Sequence, residues 1–210
     1  MAAEARIARR LGWHIAVGGG TTVGADRAAR QLIERGARAL ISLGLAGGLD
    51  PALRPGMVIV PTAVIDGEER YPTDPHLSQL LGGATPHLLL AMQTIVASAV
   101  EKHRWRGATQ AAAIDLESGA VARAAAAHGI PFAALRVTCD PAQRSLPPAA
   151  LAALDSHGAI AFRRVLASIL VQPSQIPALL ALASEAAAAR RSLLARVKQI
   201  APKSDQARAE

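Results

Sequence analysis

Short apolar runs alternate with stretches of helical period along most of the chain, and the first question is which elements that alternation predicts. Glu4 to Leu11 has helical periodicity and good helix formers, and Gly12 ends it. His14 to Val17 has the pattern of a short strand that runs into Gly18-Gly19-Gly20-Thr21-Thr22. Asp26 to Arg35 reads as a helix with Gly36 just past its end. Ala39 to Leu43 is an apolar strand leading into GLAGGLDP at 44–51, and Met57 to Val64 is the next, entered through Pro55-Gly56. Residues 65–86 are polar, rich in Pro and Gly, and without a period. Ile95 to Ser98 reads as strand and Ala99 to Arg106 as a charged helix. Small and β-branched residues then run into Asp115, and an alanine-rich helical pattern leaves Glu117 and reaches His128. Phe132 to Thr138 is a further strand, with Asp140 directly beyond it. Leu146-Pro147-Pro148 opens a helical region to about residue 167, and Pro177 to Ile200 is a last long helix.

Strands alternating with helices predict an α/β sheet covered on both faces. No repeat or linker interrupts the pattern, so residues 1–201 are expected to form one domain, with a polar tail at 202–210. The glycine run, GLAGGLDP, Asp115 with Glu117, and Asp140 each fall just past a predicted strand. Open α/β sheets hold ligand-binding groups at the carboxyl ends of their strands. Helix capping is the plainer account of Glu117 and Ser118, and a flexible turn that of the glycines. Four such coincidences are harder to explain as separate caps and turns.

Composition narrows the classes. Apolar residues make up 51% of the 210 positions and aromatics 2%, so the core must be built from Ala, Leu, Val and Ile. No apolar run approaches the roughly 18–20 residues that span a bilayer. Glu4 and the early arginines break any signal-peptide pattern. The lone cysteine, Cys139, excludes an internal disulfide and fits a reducing compartment. The six histidines lack the spacing of a metal site, so no metal is expected.

The net charge of +7 is unevenly spread. Residues 1–40 carry seven arginines against three acids, and residues 160–210 carry eight bases against three acids. The middle is slightly acidic. A solvated basic face accounts for this simply. Basic–aromatic interleaving is missing, so nucleic acid is not expected as a partner. Anionic lipid head groups are the other candidate, provided that Arg9, Arg10, Arg190, Arg191, Arg196 and Lys198 share a face.

GLAGGLDP, Leu53-Arg54-Pro55-Gly56, Ala113-Ile114-Asp115-Leu116-Glu117-Ser118 and the stretch from Pro131 through Arg136 to Cys139-Asp140 resemble the purine nucleoside phosphorylase and methylthioadenosine nucleosidase superfamily. With Gln175-Ile176-Pro177 and the Arg-bearing last helix, the ensemble is most similar to the hopanoid-associated nucleoside phosphorylases. The resemblance implies a three-layer α/β/α fold with a central mixed sheet. It implies cleavage of a purine N-glycosidic bond, with adenine released from an adenosine whose 5′ carbon carries a hopane triterpenoid. It also implies a cytoplasmic homo-oligomer that needs no cofactor, phosphate being the candidate co-substrate. A 5′ lipid would need an apolar route, for which the leucines between residues 65 and 93 are candidates, although core positions suit most of them better.

Residue by residue, Asp140 matches the acid that protonates or hydrogen-bonds N7 of the departing purine. Glu117 matches the carboxylate that grips the ribose hydroxyls, with Leu116 beside it where methionine is usual; Asp115 matches a less constant acid. Glu4 matches the glutamate that activates water in the nucleosidases. Backbone N–H groups of Gly18, Gly19, Gly20 and Thr21, with Ala46 and Gly47, form the candidate phosphate or water site. Two departures bear on these roles. The family's first apolar strand is expected upstream of Met1, and Ser42 and Leu45 stand where phosphorylases commonly carry Arg and Ser or Thr. Phosphorolysis and hydrolysis therefore both stay open, as does a degenerate paralogue that binds a nucleoside or lipid without turnover.

Overall fold

In the computed structural model, which describes residues 2–152 and 168–201, seven strands form a mixed sheet. They are β1 (Leu40–Gly48), β2 (Val58–Ile59), β3 (Ala63–Asp66), β4 (Glu69–Pro72), β5 (Leu88–Ala91), β6 (Ala113–Asp115) and β7 (Phe132–Asp140). Their order across the sheet is β2-β7-β1-β6-β5-β3-β4. β1 and β7 are parallel over their whole length, whereas β6 runs antiparallel to β1 and pairs with it only at Gly47 and Gly48. Among the described residues, the edge of β1 from Leu40 to Ala46 on the side away from β7 therefore carries no strand.

Helices cover both faces. On one side lie α2 (Thr22–Glu34) and α5 (Ser118–Ala127), which pack Ala29, Ala122, Ala124 and Ala125 against Leu40, Ala46, Phe132 and Ala134. Alanine lets these helices sit close to the strands, which is how a chain poor in aromatics still fills its core. On the other side, α1 (Ala2–Ala8) with its 3-10 extension Arg9–Leu11 and the long C-terminal helix Ile176–Ile200 enclose a second cluster. Leu11, Leu135, Val137, Leu193 and Val197 are its buried members. A third cluster, with Leu49, Leu90, Val96 and Ile114, takes Trp105 from α4 (Ala99–Thr109). Two short helices, α3 (Pro75–Leu80) and α6 (Pro148–Ala152), complete the set. This is the three-layer α/β fold with a mixed sheet. Among the described residues no helix is long and apolar enough to cross a membrane.

Several expected elements differ, each for a physical reason. His14 to Val17 forms no strand, and Val17 is exposed rather than packed on the sheet. Ile95 to Ser98 is likewise irregular; the strand of that region is Leu88–Ala91, a continuous apolar run held in parallel between β3 and β6. Leu89 and Leu90 of that run are core, as is Leu81, whereas Leu80 is exposed. The Met57–Val64 stretch splits into β2 and β3 around Pro61, which lacks the N–H needed to continue a ladder. Residues 65–86 are more ordered than their composition suggests, with a β3–β4 hairpin followed by α3. The Asp74 side chain caps that helix by accepting from the Leu77 N–H at 2.8 Å. GLAGG is the end of β1 rather than a loop. The later part of the helical region after Leu146, and the tail at 202–210, lie outside the described residues.

The second cluster yields a prediction. Leu193 is fully buried between the C-terminal helix and the sheet. Leu193→Ala should destabilise the protein by about 2–5 kcal/mol, read as a lowered denaturant midpoint at unchanged slope.

Candidate active site

The site begins where β6 hands over to α5. Asp115 ends the strand, and its carboxylate accepts the Ser118 N–H and hydroxyl, the latter at 2.7 Å, which fixes the turn into the helix. Leu116 and Glu117 make the corner between them. The glycine run then folds over this corner from the other end of the chain. Gly20 donates its N–H to Glu117 Oε1 at 2.8 Å, and Thr22 donates its hydroxyl to the Leu116 carbonyl at 3.0 Å. Gly19 and Gly20 hold φ of 75° and 80°, in the left-handed region where a side chain would strain the backbone. A Cβ at Gly18 would lie 2.5 Å from Glu117 Oε1. Thr21 closes the run by capping α2, accepting from the Gly24 N–H at 3.1 Å. Gly18, Gly20, Leu116 and Glu117 are thus neighbours although about a hundred residues separate them. Glu117 remains partly open, with 26% of its side chain exposed.

A buried arginine that sequence reasoning had not assigned to the site lies beneath this corner. Arg136 starts on β7, crosses β1, and reaches β6. Its Nε donates to Asp115 Oδ2 at 2.6 Å, and its Nη2 donates to the Ser42 hydroxyl at 2.6 Å and the Ser118 hydroxyl at 3.0 Å. Glu117 Oε2 stands 4.0 Å from the same Nη2. The crossing is possible because the strand residue paired with Arg136 is Gly44, where a Cβ would come within 2.6 Å of Nη1. Arg136 is 1% exposed, and its Nη1 has no hydrogen-bond partner among the described residues; the Thr138 hydroxyl two residues on is in the same condition. Buried polar atoms are ordinarily satisfied, so this stretch of β7 has unmet donor and acceptor capacity. The signal in the sequence was an arginine inside an otherwise apolar strand. Its guanidinium reaches the Ser42 hydroxyl from β7.

Asp140 is the last residue of β7 rather than one beyond it. The register with β1 skips Cys139, since Ala46 pairs with Thr138 and Gly47 with Asp140. Such a bulge re-aims the residue that follows it. Asp140 consequently shares a face with Gly47 and Ile114, and a Cβ at Gly47 would lie 3.2 Å from both Asp140 Oδ1 and a methyl of Ile114. Its carboxylate forms a buried ion pair with Lys102 and accepts the Cys139 thiol at 3.2 Å. Burial, reinforced by the charge and hydrogen bond of Asp140, pushes the Cys139 thiol well above its ordinary pKa. Because β6 is antiparallel to β7, the two candidate carboxylates do not project from strand ends pointing the same way. Ile114, Gly47 and Asp140 stand side by side, and Glu117 follows Ile114 by three residues in the opposite direction. Ala46, the remaining candidate, is buried on β1 opposite Thr138, one residue before Gly47.

Glu4 occupies a different surrounding. It lies on α1, the helix that packs on the C-terminal helix and the face of β1, and it accepts from Arg190 Nε at 3.3 Å.

Known proteins share this fold. A family model for the phosphorylase superfamily matches residues 12–88 and 88–170. The chain belongs to the phosphorylase superfamily. A search of the curated proteins returned no match. Among solved structures, this phosphorylase-superfamily chain is similar to 5′-methylthioadenosine/S-adenosylhomocysteine nucleosidase from Neisseria meningitidis in complex with methylthio-immucillin-A. That likeness has 17% identity and a TM-score of 0.60, over 86% of this chain and 78% of the other. Native futalosine hydrolase of Helicobacter pylori is similar at 16% identity and a TM-score of 0.58, over 85% and 76%. Helicobacter pylori MTAN matches at 18% identity and a TM-score of 0.53, over 57% of this chain; the chain spans 66% of that protein. At these identities the likeness is one of fold.

Two outcomes test this geometry. Gly44→Ala should cost about 1–3 kcal/mol, because the added methyl displaces a guanidinium that Ser42, Ser118 and Asp115 hold in place; a thermal or denaturant melt reads it. A raised thiol pKa leaves little thiolate at neutral pH, so Cys139 should resist iodoacetamide near pH 8 in the folded protein. It should alkylate readily once the chain is unfolded, which mass spectrometry records.

Proposed function

We propose that this chain cleaves the N-glycosidic bond of a purine nucleoside. The observation that carries the reading is the seating of the glycine run on Glu117. One oxygen of that carboxylate is taken by Gly20 N–H, and the side chain as a whole stays partly open. A carboxylate oriented in this way suits a pair of vicinal hydroxyls, which fixes the sugar and lies near the positive charge that develops on it. Asp140, re-aimed by the bulge, is the candidate for N7 of the departing base, where an acid lowers the leaving-group barrier. Membership of the phosphorylase superfamily supports both assignments.

The nucleophile is an oxygen, from phosphate or from water. The Arg136 guanidinium, whose Nη2 donates to Ser42 and stands 4.0 Å from Glu117 Oε2, supports an anionic or water oxygen near that corner, with Gly18, Gly19, Gly20 and Thr21 contributing backbone. Resemblance to nucleosidases supports water, and Glu4 is its candidate base. The finer substrate, an adenosine with a hopane on its 5′ carbon, rests on the motif resemblance, as do a cytoplasmic homo-oligomer and the lack of a cofactor. Docking on anionic lipid rests on Arg9, Arg10, Arg191 and Lys198, which are exposed on the 3-10 turn and the C-terminal helix that touch each other. Arg190 and Arg196 are already engaged, with Glu4 and with the Leu81 and Gly82 carbonyls.

The test is release of adenine from adenosine and 5′-substituted adenosines, with and without phosphate, and identification of the sugar product. Ribose 1-phosphate indicates phosphorolysis and free ribose hydrolysis; no adenine under either condition defeats the enzymatic reading in favour of a binding paralogue. Asp140→Asn should lower kcat by about a hundredfold or more in a folded protein. Glu117→Gln should raise KM and lower kcat together, because the diol contact serves ground and transition states alike. Unaltered turnover of 2′,3′-dideoxy substrates would remove Glu117 from that role.

A further inference from the structure

The buried residue of the charged helix α4 is its lysine. Glu101, His103 and Arg104 face solvent, while Lys102 is 1% exposed and points inward. An ammonium has three N–H donors, and Lys102 places all three. One goes to Asp140 Oδ2, and the others to the carbonyls of Pro141 and Arg144, each at 3.1 Å. With the Cys139 thiol on Oδ1, both oxygens of Asp140 are engaged, and the carboxylate plane is set from two sides. The same ammonium clamps the turn that follows β7.

Stability alone is a weak reason for such an arrangement. Apolar side chains of similar volume replace buried ion pairs at little or no loss, whereas a buried charge left single is costly. A helix that only needed an anchor in this core would use leucine. We infer that Lys102 is a positioning residue for Asp140. It holds the carboxyl in the orientation from which its proton passes to N7 of the departing base, pairs with the carboxylate left behind, and keeps the group from turning toward the turn at 141–144. This rests on the reading of Asp140 as the group that assists base departure. It adds a residue from a different helix to that role, one that makes no contact with the sugar side of the site at Glu117.

The experiment compares Lys102→Met, Asp140→Asn and the double variant, using adenosine and 4-nitrophenyl β-ribofuranoside. The nitrophenyl substrate carries a leaving group that departs without protonation. If Lys102 acts through Asp140, Lys102→Met should lower kcat on adenosine by about a hundredfold with a much smaller change in KM, and touch the nitrophenyl riboside only a few-fold. In the Asp140→Asn background the lysine substitution should add almost nothing, since a residue acting through another loses its effect when that other is gone. Equal losses on both substrates, or losses that multiply in the double variant, would overturn the inference. Should Lys102→Met fail to fold because it leaves Asp140 buried and unpaired, the double variant, which carries neither charge, is compared with Asp140→Asn. Equal rates support the inference, and a further selective or general loss defeats it. The underlying reading fails differently: Asp140→Asn would then release adenine at the full rate. An active Lys102→Met beside an inactive Asp140→Asn sinks the positioning role alone.

Discussion

One guanidinium ties together the middle of this molecule. Arg136 joins β7 to β6 across β1, and four other residues are what they are because of it. Gly44 leaves room for the crossing, Asp115 supplies the countercharge, and Ser42 and Ser118 accept from Nη2. Removing one member of such a buried pair leaves an uncompensated charge at a cost of roughly 3–5 kcal/mol, so these positions are linked. β6 meets β1 at only two residues, and the arginine reinforces that short contact. It also sets the β6–α5 corner at which Leu116 and Glu117 project.

The two halves of the site are built by different means. Glu117 is positioned by backbone, through a glycine run whose left-handed residues allow an N–H to reach it. Asp140 is positioned by a bulge in the sheet and by a side chain from α4. The first device is local to the start of α2 and the corner after β6. The second depends on packing between the sheet and a helix that is otherwise charged and solvated.

Much of this was legible in the chain, for reasons that differ by element. The helix expected from Asp26, the one after Glu117 and the long C-terminal helix carry strong periodicity, so local chemistry found them, although the first begins at Thr22 under a Thr21 cap inside the run that reads as a flexible turn. Asp115, Glu117 and Asp140 could be singled out because they stand at the ends of apolar runs. What stayed hidden were facts of register and depth. A strand as short as Leu88–Ala91 has the same pattern as a stretch of buried helix, and only its neighbours β3 and β6 decide the matter. The antiparallel course of β6 does not follow from its three residues. Lys102 read as one charge among several on α4, because no periodicity distinguishes a buried ammonium from a solvated one. Arg136 stood in plain view inside an apolar strand; its meaning depends on Gly44, which looks like an ordinary turn glycine until β1 is seen to run through it.

The unpaired side of β1 carries its own consequence. Leu40 donates its N–H to Pro131, so the alternate residues Ile41, Leu43 and Leu45 turn their backbone groups the other way, along the stretch that no described strand covers. An edge of this kind usually lies at the rim of a sheet, where charges or prolines blunt it. Here it lies in the interior of the strand order, flanked by apolar side chains. Among the described residues, the backbone of these three positions therefore has the geometry to pair with one more extended segment, lying between β1 and the β6–β5 half of the sheet.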